Sequence, residues 1–285
     1  MRAVPAALLV ASVVLAGCSG FPLVGEEGGS TPVAPPIPED QVTSQPPPGI
    51  LSLQVVNPGA LGRAHARAIE NESYLLTSNR TVVRENGTLR SRLAVTVAID
   101  EERRFLAAAS TDGPEAPVFL GTPPVDAVYW SNGTTYARRL SHDGRTTHTQ
   151  FAPPETWVGT WSYWTTSVPF GGRANRPETY YASLFSAVPT RVTGETTIAG
   201  TTVFRLENEA DRPFSNDTFP GRVDSVHDVS FVALVDGDGL VRSLDLRYAG
   251  TVDGEAVRVN QTIRYEDVGS TTVRRPAWYE RAASG

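Results

Sequence analysis

From about residue 73 to residue 267 this chain alternates apolar and polar side chains in one short run after another, and a period of two leaves little choice of architecture. Successive side chains of a β-strand point to opposite faces, so alternation buries one face and wets the other. Leu89-Ser91-Leu93-Val95-Val97-Ile99 carries the small or apolar set, while Arg90, Arg92, Thr96 and Asp100 face away. The pattern returns in Thr202-Phe204-Leu206, in Leu244-Leu246-Tyr248, and in Val257-Val259 with Ile263-Tyr265. Asn86-Gly87, Asn132-Gly133, Asp143-Gly144 and Asp253-Gly254 punctuate these runs, and such dipeptides accept the positive φ that a tight hairpin demands. The expectation is a long antiparallel meander, with strands mainly over 73–111, 127–151 and 190–267 and all in one sheet.

Two stretches depart from period two. Asn57 can cap a helix, Pro58 suits a first turn, and Leu61, Ala64, His65, Ala68 and Ile69 recur at helical spacing, which places a helix near 58–70. His65 in that pattern reads as a packed or surface histidine rather than a ligand. A second helix is expected over 177–187, from Pro177 through Tyr181, Leu184 and Phe185. The segment from Phe151 to Phe185 is dense in aromatics, and Trp157, Trp161 and Trp164 fall at i, i+4 and i+7. If helical, these three share one face, turned toward the sheet. They either fill the core or line a cavity for an apolar ligand. Sheet and helices together make an α+β layer.

The N-terminus follows other rules. Arg2 precedes an uncharged run, Ala3 to Ala16, and Leu15-Ala16-Gly17-Cys18 resembles a lipobox, in which the cysteine sulfur receives a lipid and becomes the new N-terminus. The run is short of the ~20 apolar residues of a membrane span. Residues 1–17 are therefore read as a signal peptide, and residues 18–48 as lipidated Cys18 with a disordered Pro/Gly-rich linker. Residues 49–280 are read as one domain. At ~3.1 Å per residue, such a linker reaches roughly 90 Å. Cys18 is the single cysteine, so no intramolecular disulfide supports the domain, which must hold by its core alone. The location expected is the outer face of the cell membrane, lipid-anchored.

Composition and motif search then remove function classes. The net charge of -6 argues against a nucleic-acid partner. All 25 basic residues are arginine, and an acidic chain without lysine fits a halophilic archaeal source. Asn71, Asn79, Asn86, Asn132, Asn216 and Asn260 each open an Asn-x-Ser/Thr sequon, so an exported chain would be a glycoprotein at some of them. There is no Gly-x-Ser-x-Gly elbow, His-Glu-x-x-His, phosphate loop or dinucleotide fingerprint. His142 and His148 flank one hairpin turn without metal spacing, and Asp236-Gly237-Asp238-Gly239 reads as a tight turn because the EF-hand pattern fails. Glu101-Glu102 beside Arg103-Arg104 reads as a solvated turn. No catalytic set, metal site or cofactor is expected.

The lipobox, the helix before the first strand, the meander and the central helical insertion together resemble the LolA/LppX-like lipoproteins of the LppX/LprAFG type, as a haloarchaeal family. Phe231 to Leu244, through Asp236-Gly237-Asp238-Gly239, is similar to the strand–turn–strand near the end of the mycobacterial members, and Thr202-Val203-Phe204-Arg205-Leu206 resembles the strand before it. The resemblance implies one large, strongly curved antiparallel sheet, an open half-barrel, with helices packed on its concave face around a lipid-holding cavity. It carries no catalytic residues. The function expected is a non-catalytic, membrane-anchored lipoprotein that binds or carries a lipid or other hydrophobic ligand, with Trp157, Trp161, Trp164, Tyr181 and Phe185 as the cavity residues. The alternative is a structural or interaction lipoprotein of the cell envelope, with a filled core and no ligand.

Overall fold

The computed structural model describes residues 42, 44–152, 160–170, 176–198, 200–220 and 223–284. Its strands are β1 (Ile50–Leu51), β2 (Gln54–Val55), β3 (Tyr74–Arg84), β4 (Leu89–Ile99), β5 (Phe105–Asp112), β6 (Val125–Ser131), β7 (Tyr136–His142), β8 (Arg145–Phe151), β9 (Thr190–Ile198), β10 (Thr201–Asn208), β11 (Ser225–Asp236), β12 (Val241–Val252) and β13 (Glu255–Glu266). All join one antiparallel sheet of order β1-β2-β9-β10-β11-β12-β13-β3-β4-β5-β6-β7-β8. The expected single meander is thus two, β3–β8 and β9–β13, joined where β13 lies beside β3 with Ile263 opposite Ser78. Helices interrupt the chain between the two halves. The sheet stays open, with β1 and β8 at its edges.

The hairpin dipeptides act as the sequence implied. Asp143 and Gly144 have φ of 49° and 70°, Asp253 and Gly254 of 53° and 76°. Positive φ at both central residues is the type I′ geometry whose twist matches the flanking strands. It sets His142 opposite Arg145 and Val252 opposite Glu255. Register then decides which side chains look inward. Tyr74, Leu76 and Ser78 of β3 sit across from Ile99, Val97 and Val95 of β4, and all six are buried. Arg90 faces the other way, as expected, yet it is only 6% exposed. Its guanidinium meets Glu115, Asp253 and Glu255 at 2.6, 2.9 and 3.1 Å, which fastens β4 to the β12–β13 turn.

Helix α1 (Pro58–Ile69) begins where Asn57 Oδ1 accepts the Ala60 N–H at 3.0 Å, with Pro58 in its first turn. Leu61, Ala64, His65 and Ile69 form its buried face. The central segment gives α2 (Trp161–Thr166), capped by Thr160, then a 3₁₀ turn at Val168–Phe170 and α3 (Pro177–Ala187). These helices cover the inner face. Ser78 Oγ donates to the Pro169 carbonyl at 2.8 Å, and Phe185 meets Phe231 of β11 at 5.4 Å.

One helix departs from the expectation of a single helical layer. Short α4 (Tyr279–Ala283) lies on the opposite face of the sheet. Trp130 and Ala137, paired across β6 and β7, form a separate cluster with Trp278 and Ala282, and the Trp130 and Tyr279 rings meet at 5.0 Å. The preceding residue, Tyr129, points the other way and stacks on Trp164 at 4.8 Å. Strand β6 therefore has both faces buried at this point. The physical reason is a C-terminal segment with two aromatics of its own to bury.

Candidate functional site

The space between sheet and helices is packed with side chains. Trp164 is 1% exposed, held between Tyr129 and Tyr163. Tyr181 is wholly buried, its ring 4.4 Å from His65 and 6.1 Å from Phe170. Phe185 is likewise buried. Among the described residues the hydroxyls of Tyr180, Tyr181 and Tyr265 have no hydrogen-bond partner, and burial raises the pKa of all three. Burial also pushes Tyr74 up to about 12, against smaller lowering influences from Thr165 and Arg103. At His65, Nδ1 accepts the Val241 N–H at 3.1 Å, and desolvation lowers the pKa to about 3.

Trp161 differs from its neighbours. It is half-buried and borders an open cleft of about 800 Å³ between the end of α1, helix α2 and the start of α3. Ile69, Tyr74 and Ala66 give the cleft apolar wall, and Arg63, Arg67 and Arg176 line it as well, with Arg67 Nε donating to the Arg63 carbonyl at 3.3 Å. The Arg103 guanidinium lies 4.9 Å from the Trp161 ring centroid, and it donates to the backbone carbonyls of Glu70 and Glu72. This arrangement depends on Gly62. A Cβ built there would stand 2.4 Å from the Glu178 carbonyl oxygen, so the missing side chain is what lets α1 and α3 touch backbone to backbone. Sequence reasoning nominated Trp161 but none of the arginines.

Of the five nominated cavity residues, then, Trp164, Tyr181 and Phe185 lie in the packed interior and Trp161 edges the cleft, while Trp157 lies outside the described residues, as does Cys18. Asn71, Asn79, Asn86, Asn132, Asn216 and Asn260 are all exposed. His142 and His148 are not brought together: His142 Nδ1 lies 3.0 Å from the Pro124 carbonyl, and His148 packs against Trp278. The Asp236 carboxylate is consumed by its own turn, accepting the N–H groups of Asp238 and Leu240 and the Arg242 side chain at 3.0 Å. No group of three metal-ligating side chains occurs among the described residues. No described helix is long and apolar enough to cross a membrane. A second hollow, of about 630 Å³, lies beside β8 and α4, next to His148 and Thr149.

Several solved structures are similar to this one over most of its length. LprF from Mycobacterium bovis is 11% identical with a TM-score of 0.33, covering 76% of this chain and 95% of its own. A LolA superfamily protein from Nitrosomonas europaea is 8% identical with a TM-score of 0.23, over 77% and 96% of the two chains. A DUF1329 family protein from Desulfovibrio piger is 10% identical with a TM-score of 0.26, over 80% and 98%. No curated protein matches the chain in sequence. Residues 3–282 match a family of unknown function, DUF7537, and the chain belongs to it.

Proposed function

We propose that this chain is a non-catalytic lipoprotein of the cell envelope, anchored at the outer face of the membrane through lipidated Cys18, that binds a hydrophobic ligand at the Trp161 cleft. Residues 1–17 would then be the signal peptide, 18–48 the tether and 49–280 the binding domain. The observation that carries the reading is the cleft itself: about 800 Å³, walled by Trp161, Ile69 and Tyr74, and within the size range of small-molecule sites. The ligand would lie along the edge of the helical layer. Val42 and Pro47 pack against the domain and Ser44 N donates to Glu195 at 3.2 Å, so the free tether would end near residue 42. One observation favours the envelope interaction reading instead, namely that the sheet's inner face is filled by side chains. Mass spectrometry of an organic extract of the purified full chain carrying Cys18→Ser separates the two. A co-purified amphiphile, lost on Trp161→Ala with circular dichroism unchanged, supports binding. An empty extract, and no tryptophan fluorescence change with any added lipid, supports the interaction protein.

A further inference from the structure

Resting on that reading, we infer that the ligand of the Trp161 cleft is an anionic amphiphile, whose acidic head is held by Arg63, Arg67 and Arg176 while its apolar part lies against Trp161 and Ile69. In a chain of net charge -6, several arginines are taken up by carboxylates. Arg84, Arg90, Arg104, Arg242 and Arg264 each bond a carboxylate at 3.1 Å or less. The three in the cleft make no ion pair among the described residues. Arg63 and Arg67 stand at i and i+4 on α1, where like charges repel, and Arg67 Nε is held on the Arg63 carbonyl at 3.3 Å. The Gly62 contact then delivers Arg176 and the start of α3 to the same place from a distant part of the chain.

Three further features suit an anion. Helix α3 has 11 residues, no side chain caps its N-terminus, and Arg176, Pro177 and Glu178 at that end line the cleft, so the positive end of its dipole lies beside it. Ser167 borders the same space, is 1% exposed, and its Oγ has no hydrogen-bond partner among the described residues. A buried hydroxyl left unpaired is costly, and a ligand oxygen would satisfy it. Arginine also matches the flat oxygen edge of phosphate, sulfate or carboxylate with two parallel hydrogen bonds. Glu70 and Glu178 also line the cleft, leaving three guanidinium groups against two carboxylates, and Arg103 adds a further positive charge beside Trp161. A neutral lipid would leave the exposed ends of the three arginines to water. Free phosphate would leave the apolar wall wet.

The test is isothermal titration of the full chain carrying Cys18→Ser, at one fixed salt concentration, with three probes kept below micelle formation. Dodecyl phosphate carries both parts, dodecanol the chain alone, and inorganic phosphate the anion alone. The inference expects dodecyl phosphate to bind at least tenfold more tightly than either of the others. It also expects Arg63→Gln with Arg67→Gln to remove most of that advantage, with dodecanol binding and the thermal midpoint unchanged. These side chains are exposed, so the variant should fold. Equal binding of dodecyl phosphate and dodecanol, unaffected by the substitutions, overturns the anion inference and leaves hydrophobic binding standing. Inorganic phosphate binding as tightly as dodecyl phosphate overturns the amphiphile and makes the cleft a plain anion site. No binding of any probe overturns both the inference and the cleft as a binding site.

Discussion

Acid should weaken this domain measurably through one buried histidine. His65 is wholly buried on α1, edge-on to Tyr181 and Tyr265, and desolvation holds its pKa at about 3 instead of the usual 6.5. Between those two values the unfolded chain binds a proton at this position and the folded chain does not. Stability is therefore fully present above pH 6.5 and falls as the pH drops toward 3. Each pH unit in that window costs about 1.4 kcal/mol, so moving from pH 7.5 to pH 5 should cost roughly 2 kcal/mol from His65 alone. For a domain stable by only about 5–15 kcal/mol, that is a visible fraction. Urea denaturation followed by circular dichroism at pH 7.5, 6.5, 5.75 and 5 measures it, stopping before most carboxylates titrate. His65→Gln should lower stability at pH 7.5, because the Val241 N–H loses its fitted acceptor, and yet flatten the slope. His148, whose pKa is lowered mainly by desolvation and then by Arg281 and Arg139, adds a loss of the same sign, which His148→Asn removes separately. An unchanged slope in the His65 variant would refute the argument, whatever happened to absolute stability.

Two further substitutions carry clear expectations. Gly59→Ala and Gly62→Ala on the same helix should have opposite signs: the first meets the movable end of the Arg63 side chain at 3.3 Å and Asn57 Oδ1 at an ordinary 3.7 Å and gains up to about 0.5–1 kcal/mol of helix propensity, whereas the second drives a methyl into the Glu178 carbonyl. Overpacking of that kind costs about 1–3 kcal/mol, so thermal melts should rise for the first and fall for the second. Cys18→Ser should move the protein from the membrane fraction to the soluble fraction while leaving its circular dichroism unchanged, and continued tight membrane association would count against the lipobox.

Local chemistry was legible in the chain, and distant meetings were not. Asp143-Gly144 and Asp253-Gly254 announce their hairpins because two residues suffice to set the turn. Helix α3 spans 177–187 as expected, since Pro177 marks its start without help from elsewhere. The placement of α4 depends on Trp130, which lies far away in sequence, and five residues give no period to read. A hint existed in Val128-Tyr129-Trp130, an unbroken apolar run inside an alternating strand, which signals burial on both faces. The cleft was hidden for the same reason. Its arginines come from two helices more than a hundred residues apart, and only Gly62, a glycine inside a helical pattern, pointed to a close contact there. For Trp161, the spacing to Trp157 and Trp164 suggested one longer helix, whereas Thr160 caps α2 immediately before it.

The packed interior also bears on how a ligand could enter. To reach the space between sheet and helices, it would have to displace rings such as Trp164 and Tyr181, each 1% exposed or less. Aromatic side chains bury about 150–250 Å² each, so at ~25 cal/mol per Å² the two together hold roughly 8–12 kcal/mol. That is comparable to the whole stability of a typical domain. A ligand at the edge faces no such barrier. Trp161 is already partly exposed, and its ring is steadied by Arg103, whose own position is fixed by the two carbonyls at the end of α1. Binding there would cover surface that water touches now, and exchange would need no opening of the sheet. The aromatic block thus divides by depth: Trp164, Tyr181 and Phe185 hold the helical layer on the sheet, and Trp161 at its rim is the one that the proposed ligand would meet.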